Sequence, residues 1–277
     1  MLGGGVVAGV FGSLLGLGGG ILIVPLLSLG FGLPVREAVG VSLVCVIVTS
    51  GASAAVYLER RVANLRLGML LELFTAAGAV VGGLVAFLLD DRLLAGLFTL
   101  MLLYVAITMI RRAIGSDAEA SATAAEAPPS GEAGGDAPGE ARRFLEALSG
   151  PGYRVTNLRF GAIGAVFAGV LSAILGIGGG IVKVPLMHLA MGIPLRVATA
   201  TSNLMVGITA STSAIVYLLR AGIDPNVAGP TALGVFVGAA LGSRAAHRVD
   251  LRVLRLLFVL VLLYTALQMG RRATGLG

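Results

Sequence analysis

The chain is written twice. Adding 160 to a residue number in the first half lands on its counterpart in the second without a gap: Gly16, Gly18, Gly19, Gly20 and Pro25 return as Gly176, Gly178, Gly179, Gly180 and Pro185, and Gly32, Pro34 and Arg36 return as Gly192, Pro194 and Arg196. The register holds through Ser42, Thr49, Ser53 and Tyr57 (Ser202, Thr209, Ser213 and Tyr217) and on to Gly78, Gly82, Tyr104, Arg111 and Arg112 (Gly238, Gly242, Tyr264, Arg271 and Arg272). One offset kept this long is the mark of duplication, so whatever fold serves one half must serve the other.

Composition names the solvent. Hydrophobic residues make up 57% and charged residues 12%, with mean hydropathy +0.97, far from the balance of a soluble domain. Apolar stretches at 67–89, 93–110, 227–244 and 253–270 match or approach the roughly 20 helical residues that cross a bilayer core. The expected fold class is an all-α polytopic membrane protein of two tandem four-segment repeats, about eight membrane segments in all. The segments are placed at 3–34, 38–58, 67–89 and 93–111, then 160–193, 198–219, 227–247 and 253–270. The first segment of each copy is too long for one span, too short for two, and interrupted by glycines, so a broken or re-entrant element is expected there. The apolar stretch after Met1 has no basic leader and has a counterpart deep in the chain, so it is expected to be mature structure and not a signal peptide.

The domains follow: 1–115 as the first repeat, 116–159 as a linker, and 160–277 as the second repeat. Residues 116–141 are Ala, Gly, Pro, Ser and acid, too poor in apolar side chains to repay ordering. Residues 142–159 add Arg142, Arg143, Arg154 and Arg159 around a short apolar patch, as a segment along the membrane surface would. Four full spans per copy would make the copies parallel, whereas three spans and a re-entrant element would invert the second. Arginine placement leans towards inversion under the positive-inside rule. The arginines stand singly or in pairs at segment ends, which is not a nucleic-acid-binding face. The single cysteine, Cys45, excludes an intrachain disulfide and makes a cysteine-rich metal site implausible.

Polar residues inside apolar segments are the candidates for function. Three successive glycines, Gly18, Gly19 and Gly20, repeated as Gly178, Gly179 and Gly180, uncover backbone N–H groups where a following helix presents its positive end, a place for an anion; the alternative is close helix packing. Without a strand-rich βαβ context the run is no dinucleotide motif. Ser42, Thr49 and Ser53, repeated as Ser202, Thr209 and Ser213 with Asn203 beside them, fall on one helical face. They either line a path or bond their own backbone. Lys183, the only lysine, replaces Ile23 three residues after the second glycine run; it is either the counterion of an anionic substrate or a snorkelling interfacial charge. Glu72, opposite Ala232, either takes a coupling proton or pairs with an arginine. His188, opposite Ser28, is a candidate proton relay, and Arg36 and Arg196 either guard the ends of a pathway or anchor loops. No nucleophile and base pair, metal-spaced cluster or Walker sequence is present, so neither enzyme activity nor ATP-driven pumping is expected.

The pattern G-x-x-x-G-x-G-G-G-x-x-x-x-P, read from Gly12 to Pro25 and again from Ser172 to Pro185 with serine for the first glycine, resembles the TauE/SafE sulfite exporter group. The resemblance covers both halves, although the 116–159 span is unlike a short family loop. It implies a bacterial cytoplasmic (inner) membrane transporter for sulfite, sulfoacetate or related organosulfonates, running outward. A small anionic substrate and membrane lipid are the expected partners, and a homodimer is allowed for. Nucleic acid, cofactors and metals are not called for. A passive anion channel and a non-transporting scaffold remain as alternatives.

Overall fold

The computed structural model describes residues 1–15, 20–59, 63–114, 149, 153, 155–220, 222–245 and 251–275. Within these, side chains 13–15, 52–59, 112–114, 243–245 and 251–255 lie outside the description, as do the remaining residues of the linker. The described chain is helical: α1 (Leu2–Leu15), α2 (Gly20–Pro25), α3 (Val35–Glu59), α4 (Leu65–Ala86) and α5 (Asp91–Ile114), then α6 (Leu158–Leu175), α7 (Gly180–Pro185), α8 (Leu195–Leu219), α9 (Pro225–Ala245) and α10 (Leu251–Thr274). Among the described residues five helices are long and apolar enough to cross a membrane: Leu65–Ala86, Asp91–Arg111, Leu158–Leu175, Leu195–Leu219 and Leu256–Thr274. Large apolar side chains stand uncovered along their outer faces, such as Leu219 at 81% exposure and Leu256 at 72%. Such a surface is stable against lipid and not against water.

The second long apolar segment is a hairpin. Helix α6 ends at Gly176, whose left-handed φ of 66° closes the last turn through a 2.8 Å bond from its N–H to the Ser172 carbonyl. Gly178 (φ 80°) and Gly179 (φ 75°) continue the reversal, in a region that costs a side-chain-bearing residue roughly 1–2 kcal/mol. The chain returns as α7 and a π-helical turn, Leu186–Ala190. The ends meet again: Thr156 N–H donates to the Met191 carbonyl at 3.1 Å, and Asn157 Nδ2 to Ala190 at 3.1 Å. The returning arm, Gly180–Ala190, is about 16 Å long at 1.5 Å per residue, roughly half of what crossing an apolar core takes. The first copy repeats the plan, with α2 followed by the π-turn Leu26–Gly30, and Gly4 against Leu26 and Phe31 as Gly164 is against Leu186. In both copies the π-turn follows a proline, Pro25 or Pro185, which lacks the N–H a regular helix would use.

The copies are interleaved. Helix α1 packs on α9, and its counterpart α6 packs on α4. These contacts are backbone-close because glycine makes them so. A Cβ at Gly238 would collide with the Val6 carbonyl and one at Gly78 with the Val166 carbonyl, while Gly9 stands likewise against Val235 and Gly169 against Thr75. Each pair maps onto the other by the same offset of 160. Small residues replace a hydrophobic driving force that lipid does not supply. Counterpart helices α5 and α10 run in opposite directions at their contact, since Gly96 faces Ala273 and Thr99 faces Gly270. The other counterpart pair, α3 and α8, crosses where Val46 and Val206 both close on Gly178.

Candidate functional site

The buried stripe of α4 runs Leu67, Gly68, Leu71, Glu72, Thr75, Gly78, Ala79, Gly82, Gly83 and Ala86, steps of three and four that form one face. Glu72 belongs to this stripe, so the packing that serves the small residues turns its carboxylate towards the second copy and away from lipid. Lys183 of α7 meets it there: Lys183 Nζ donates to Glu72 Oε2 at 3.0 Å, with 1% and 5% of the two side chains exposed. Lys183 also donates to Thr209 Oγ1 of α8 at 2.5 Å. Thr209 Oγ1 lies 2.6 Å from Glu72 Oε1 and 3.0 Å from the Met205 carbonyl. A hydroxyl has one hydrogen and accepts through its lone pairs, so Thr209 accepts from lysine and gives its proton to the nearer carboxylate oxygen. Two of the three ammonium hydrogens are thereby occupied. The charge of Lys183 is balanced inside the protein, and the partner of Glu72 is this lysine and not an arginine.

Beside the pair lie the glycines. A Cβ at Gly20 would stand 3.0 Å from the Gly176 carbonyl oxygen and 3.3 Å from Ile177 Cα, so the two interrupted segments touch. Ser42 Oγ holds the junction, donating towards the Gly176 carbonyl at 2.8 Å and the Gly20 carbonyl at 3.2 Å. Its counterpart Ser202 is 2% exposed and its hydroxyl has no partner. Ser172, 1% exposed at the end of α6, is also without a partner. A Cβ at Gly179 would lie 3.2 Å from Ser172 Cβ and 3.5 Å from Lys183 Cε, and one at Gly180 would lie 3.6 Å from Ser202 Oγ. A small cavity of about 10 Å³ is lined here by Met101, Ser172, Ile177, Gly179, Ile181 and Val182.

The other sequence candidates are placed as follows. Thr49 bonds the Cys45 and Val46 carbonyls of its own helix and Ser213 the Thr209 carbonyl; both are buried. Asn203 is half-buried, and its backbone carbonyl accepts from Ser50 Oγ at 2.6 Å across the two copies. Arg36 lies apart from the cluster, bonding the Leu89 carbonyl at 2.8 Å and covering the Phe87 ring at 5.3 Å. Its counterpart Arg196 is exposed. His188 lies on the outer π-turn, where Nδ1 donates to the Ile193 carbonyl at 2.8 Å, the carbonyl being able only to accept. Gly18, Gly19 and the Ser53 side chain lie outside the described residues. Ser172 is the residue that sequence reasoning passed over as a site, although its substitution for Gly12 was the visible signal.

Among the described residues no cluster of three or more metal-ligating side chains is present. The arrangement offers donors: an ammonium with one hydrogen to spare and two unpartnered hydroxyls. It suits an acceptor-rich anion.

A family model described as "Sulfite exporter TauE/SafE" matches residues 1–269. The chain is similar to the "Probable membrane transporter protein YunE" of Bacillus subtilis (strain 168), 25% identical over 274 residues that span 96% of this chain and 94% of the relative. It is also similar to the "Probable membrane transporter protein MJ0441" of Methanocaldococcus jannaschii, 27% identical over 77% of this chain and 70% of the relative. Over a shorter stretch, 38% of this chain and 23% of the relative, it is 38% identical to the "Sulfite exporter TauE/SafE family protein 1" of Arabidopsis thaliana. No solved structure matches the chain.

Proposed function

The chain belongs to the TauE/SafE family of sulfite exporters, and on that premise we propose that it is a secondary transporter carrying sulfite, sulfoacetate or another organosulfonate outward across a bacterial cytoplasmic membrane. Two inverted copies of four segments alternate access to a site between them. The observation that carries this is the Lys183, Glu72 and Thr209 cluster, which joins the copies through charges held beside a half-length helix. A buried charge at membrane depth is costly unless it is used. Inversion is supported by the opposed directions of α5 and α10, and by the hairpin, which returns the chain to the face it left and leaves three crossings per copy. The relatives named as membrane transporters support a carrier. In this scheme the second glycine run and the hydroxyls of α8 replace the water of the anion, and rocking of one copy against the other moves it.

Counterflow in proteoliposomes tests this. Vesicles loaded with sulfite or sulfoacetate are given labelled anion outside, and wild type is compared with Lys183→Gln. Saturable exchange that needs the internal anion, with KM raised about tenfold or more in the variant, is the expected result. Flux without counterflow would mark a channel. Neither flux nor ligand-dependent stabilisation would mark a scaffold.

A further inference from the structure

We propose that Ser172 and Ser202 grip the oxygens of the transported anion, and that this subsite is built in the second copy alone, so that one anion is bound per protein. This rests on the transport function above and names its specificity residues. The starting point is how hydroxyls on these helices are normally satisfied. Thr75, Thr108, Ser213, Thr231 and Thr265 each bond a carbonyl three or four residues back in their own helix. That bond is available to any serine in a helix and spares it the cost of burial. Ser172 and Ser202 are buried as Thr75, Ser213 and Thr231 are, lie on helices with carbonyls in reach, and make no such bond.

Both lie against the start of the returning arm. The Ser172 Cβ adjoins Gly179 from α6 and the Ser202 hydroxyl adjoins Gly180 from α8, so the two serines stand beside consecutive residues, with Lys183 adjoining Gly179 through its Cε. The cavity between Ser172 and Gly179 is otherwise apolar, and its 10 Å³ is about the room of one water. A larger anion enters when the hairpin draws away from Met101 of α5. Among its described residues the first copy lacks these donors. Gly12 stands where the second copy has Ser172, Ile23 where it has Lys183, and the hydroxyl of Ser42 is already spent on the Gly176 and Gly20 carbonyls.

The donor count selects the ligand class. Two hydroxyl hydrogens and the third ammonium hydrogen make three donors, and Glu72, the carboxylate beside them, is engaged by Lys183 and Thr209. Three acceptor oxygens on one centre, as in a sulfonate or sulfite, satisfy all three donors. A carboxylate has lone pairs enough for three bonds but presents them on two oxygens in one plane, so it meets three donors from three separate elements less well.

Competition with labelled ethanesulfonate counterflow, using unlabelled ethanesulfonate and propionate, reads this in wild type, Ser172→Ala, Ser202→Ala and the self-bonded control Thr108→Ala. Expected is a wild-type preference for the sulfonate of about tenfold or more, with KM for ethanesulfonate raised about tenfold in each serine variant. The preference over propionate narrows in both, and Thr108→Ala moves neither. The unliganded melting temperature of Ser172→Ala stays level or rises, because an unpaired buried hydroxyl has been removed. A Ser172→Ala protein that melts lower and keeps its KM would make the residue a packing element and overturn the proposal, as would equal wild-type affinity for propionate. No counterflow with either anion in wild type would overturn the transport function itself, and this subsite with it.

Discussion

Breaking the Lys183 and Glu72 pair from one side should unfold the protein more readily than deleting it whole. At the observed 3.0 Å and an effective dielectric near 20, the attraction is about 5–6 kcal/mol, set against a desolvation cost of several kcal/mol per ion. The pair is therefore close to neutral in net stability, while either charge alone has lost its compensation. Lys183→Met and Glu72→Leu should each cost about 3–5 kcal/mol. For a chain of this size that is roughly 6–20 °C in melting temperature at about 2–4 °C per kcal/mol. The double variant should return to within about 1 kcal/mol of wild type, because the Thr209 hydroxyl, freed from Glu72, turns to the Met205 carbonyl at 3.0 Å and the apolar replacements suit the surroundings. The assay is thermal unfolding of the four proteins in one detergent, followed by counterflow. The double variant should melt like wild type and transport poorly. A double variant that loses the sum of the two singles, or singles that lose under about 2 °C, would refute the claim that the two charges are held by each other.

Gly51, in the interior of α3, has nothing within 4 Å of where an added methyl would sit. It should tolerate alanine and gain about 0.5–1 kcal/mol in a thermal melt, since glycine only weakens a helix there. Gly78→Ala, whose methyl would meet the Val166 backbone, should cost about 1–3 kcal/mol by forcing α4 from α6, read in the same melt. Gly179→Ala should cost about 1–2 kcal/mol through its φ of 75° and slow counterflow by shifting the start of α7. Asn64→Ala removes the 3.1 Å cap on the Leu67 N–H and the 2.8 Å bond to Tyr153, and should cost about 0.5–2 kcal/mol; an unchanged melting temperature would assign that cap no weight.

Much of the site is legible in the residue pattern, and what escapes does so for identifiable reasons. The hydroxyl stripe of α8 is visible because seven and four residues are close to whole turns of one helix, and Ser202, Thr209 and Ser213 are all buried. The glycine runs are visible because Gly176, Gly178 and Gly179 each take a left-handed backbone that other residues avoid. That Thr209 serves the lysine and the glutamate while Ser213 serves only its own helix is not visible, since both have the same spacing and the same chemistry. Ser172 looks like a lapse from the glycine pattern because one-dimensional comparison records what a residue replaces and not what it faces.

Residue order alone carries the apolar composition, the register of 160 between the two halves and the glycine break before α7, because hydropathy, register and backbone freedom are local properties carried by each residue in turn. It took the folded arrangement to bring Glu72 to Lys183 across 111 positions, to pack each first helix on the third long helix of the other copy, and to leave two serines among many with hydroxyls to spare. Those outcomes depend on which faces are brought together when two interleaved copies close on one another, and no periodicity along a single helix encodes its partner.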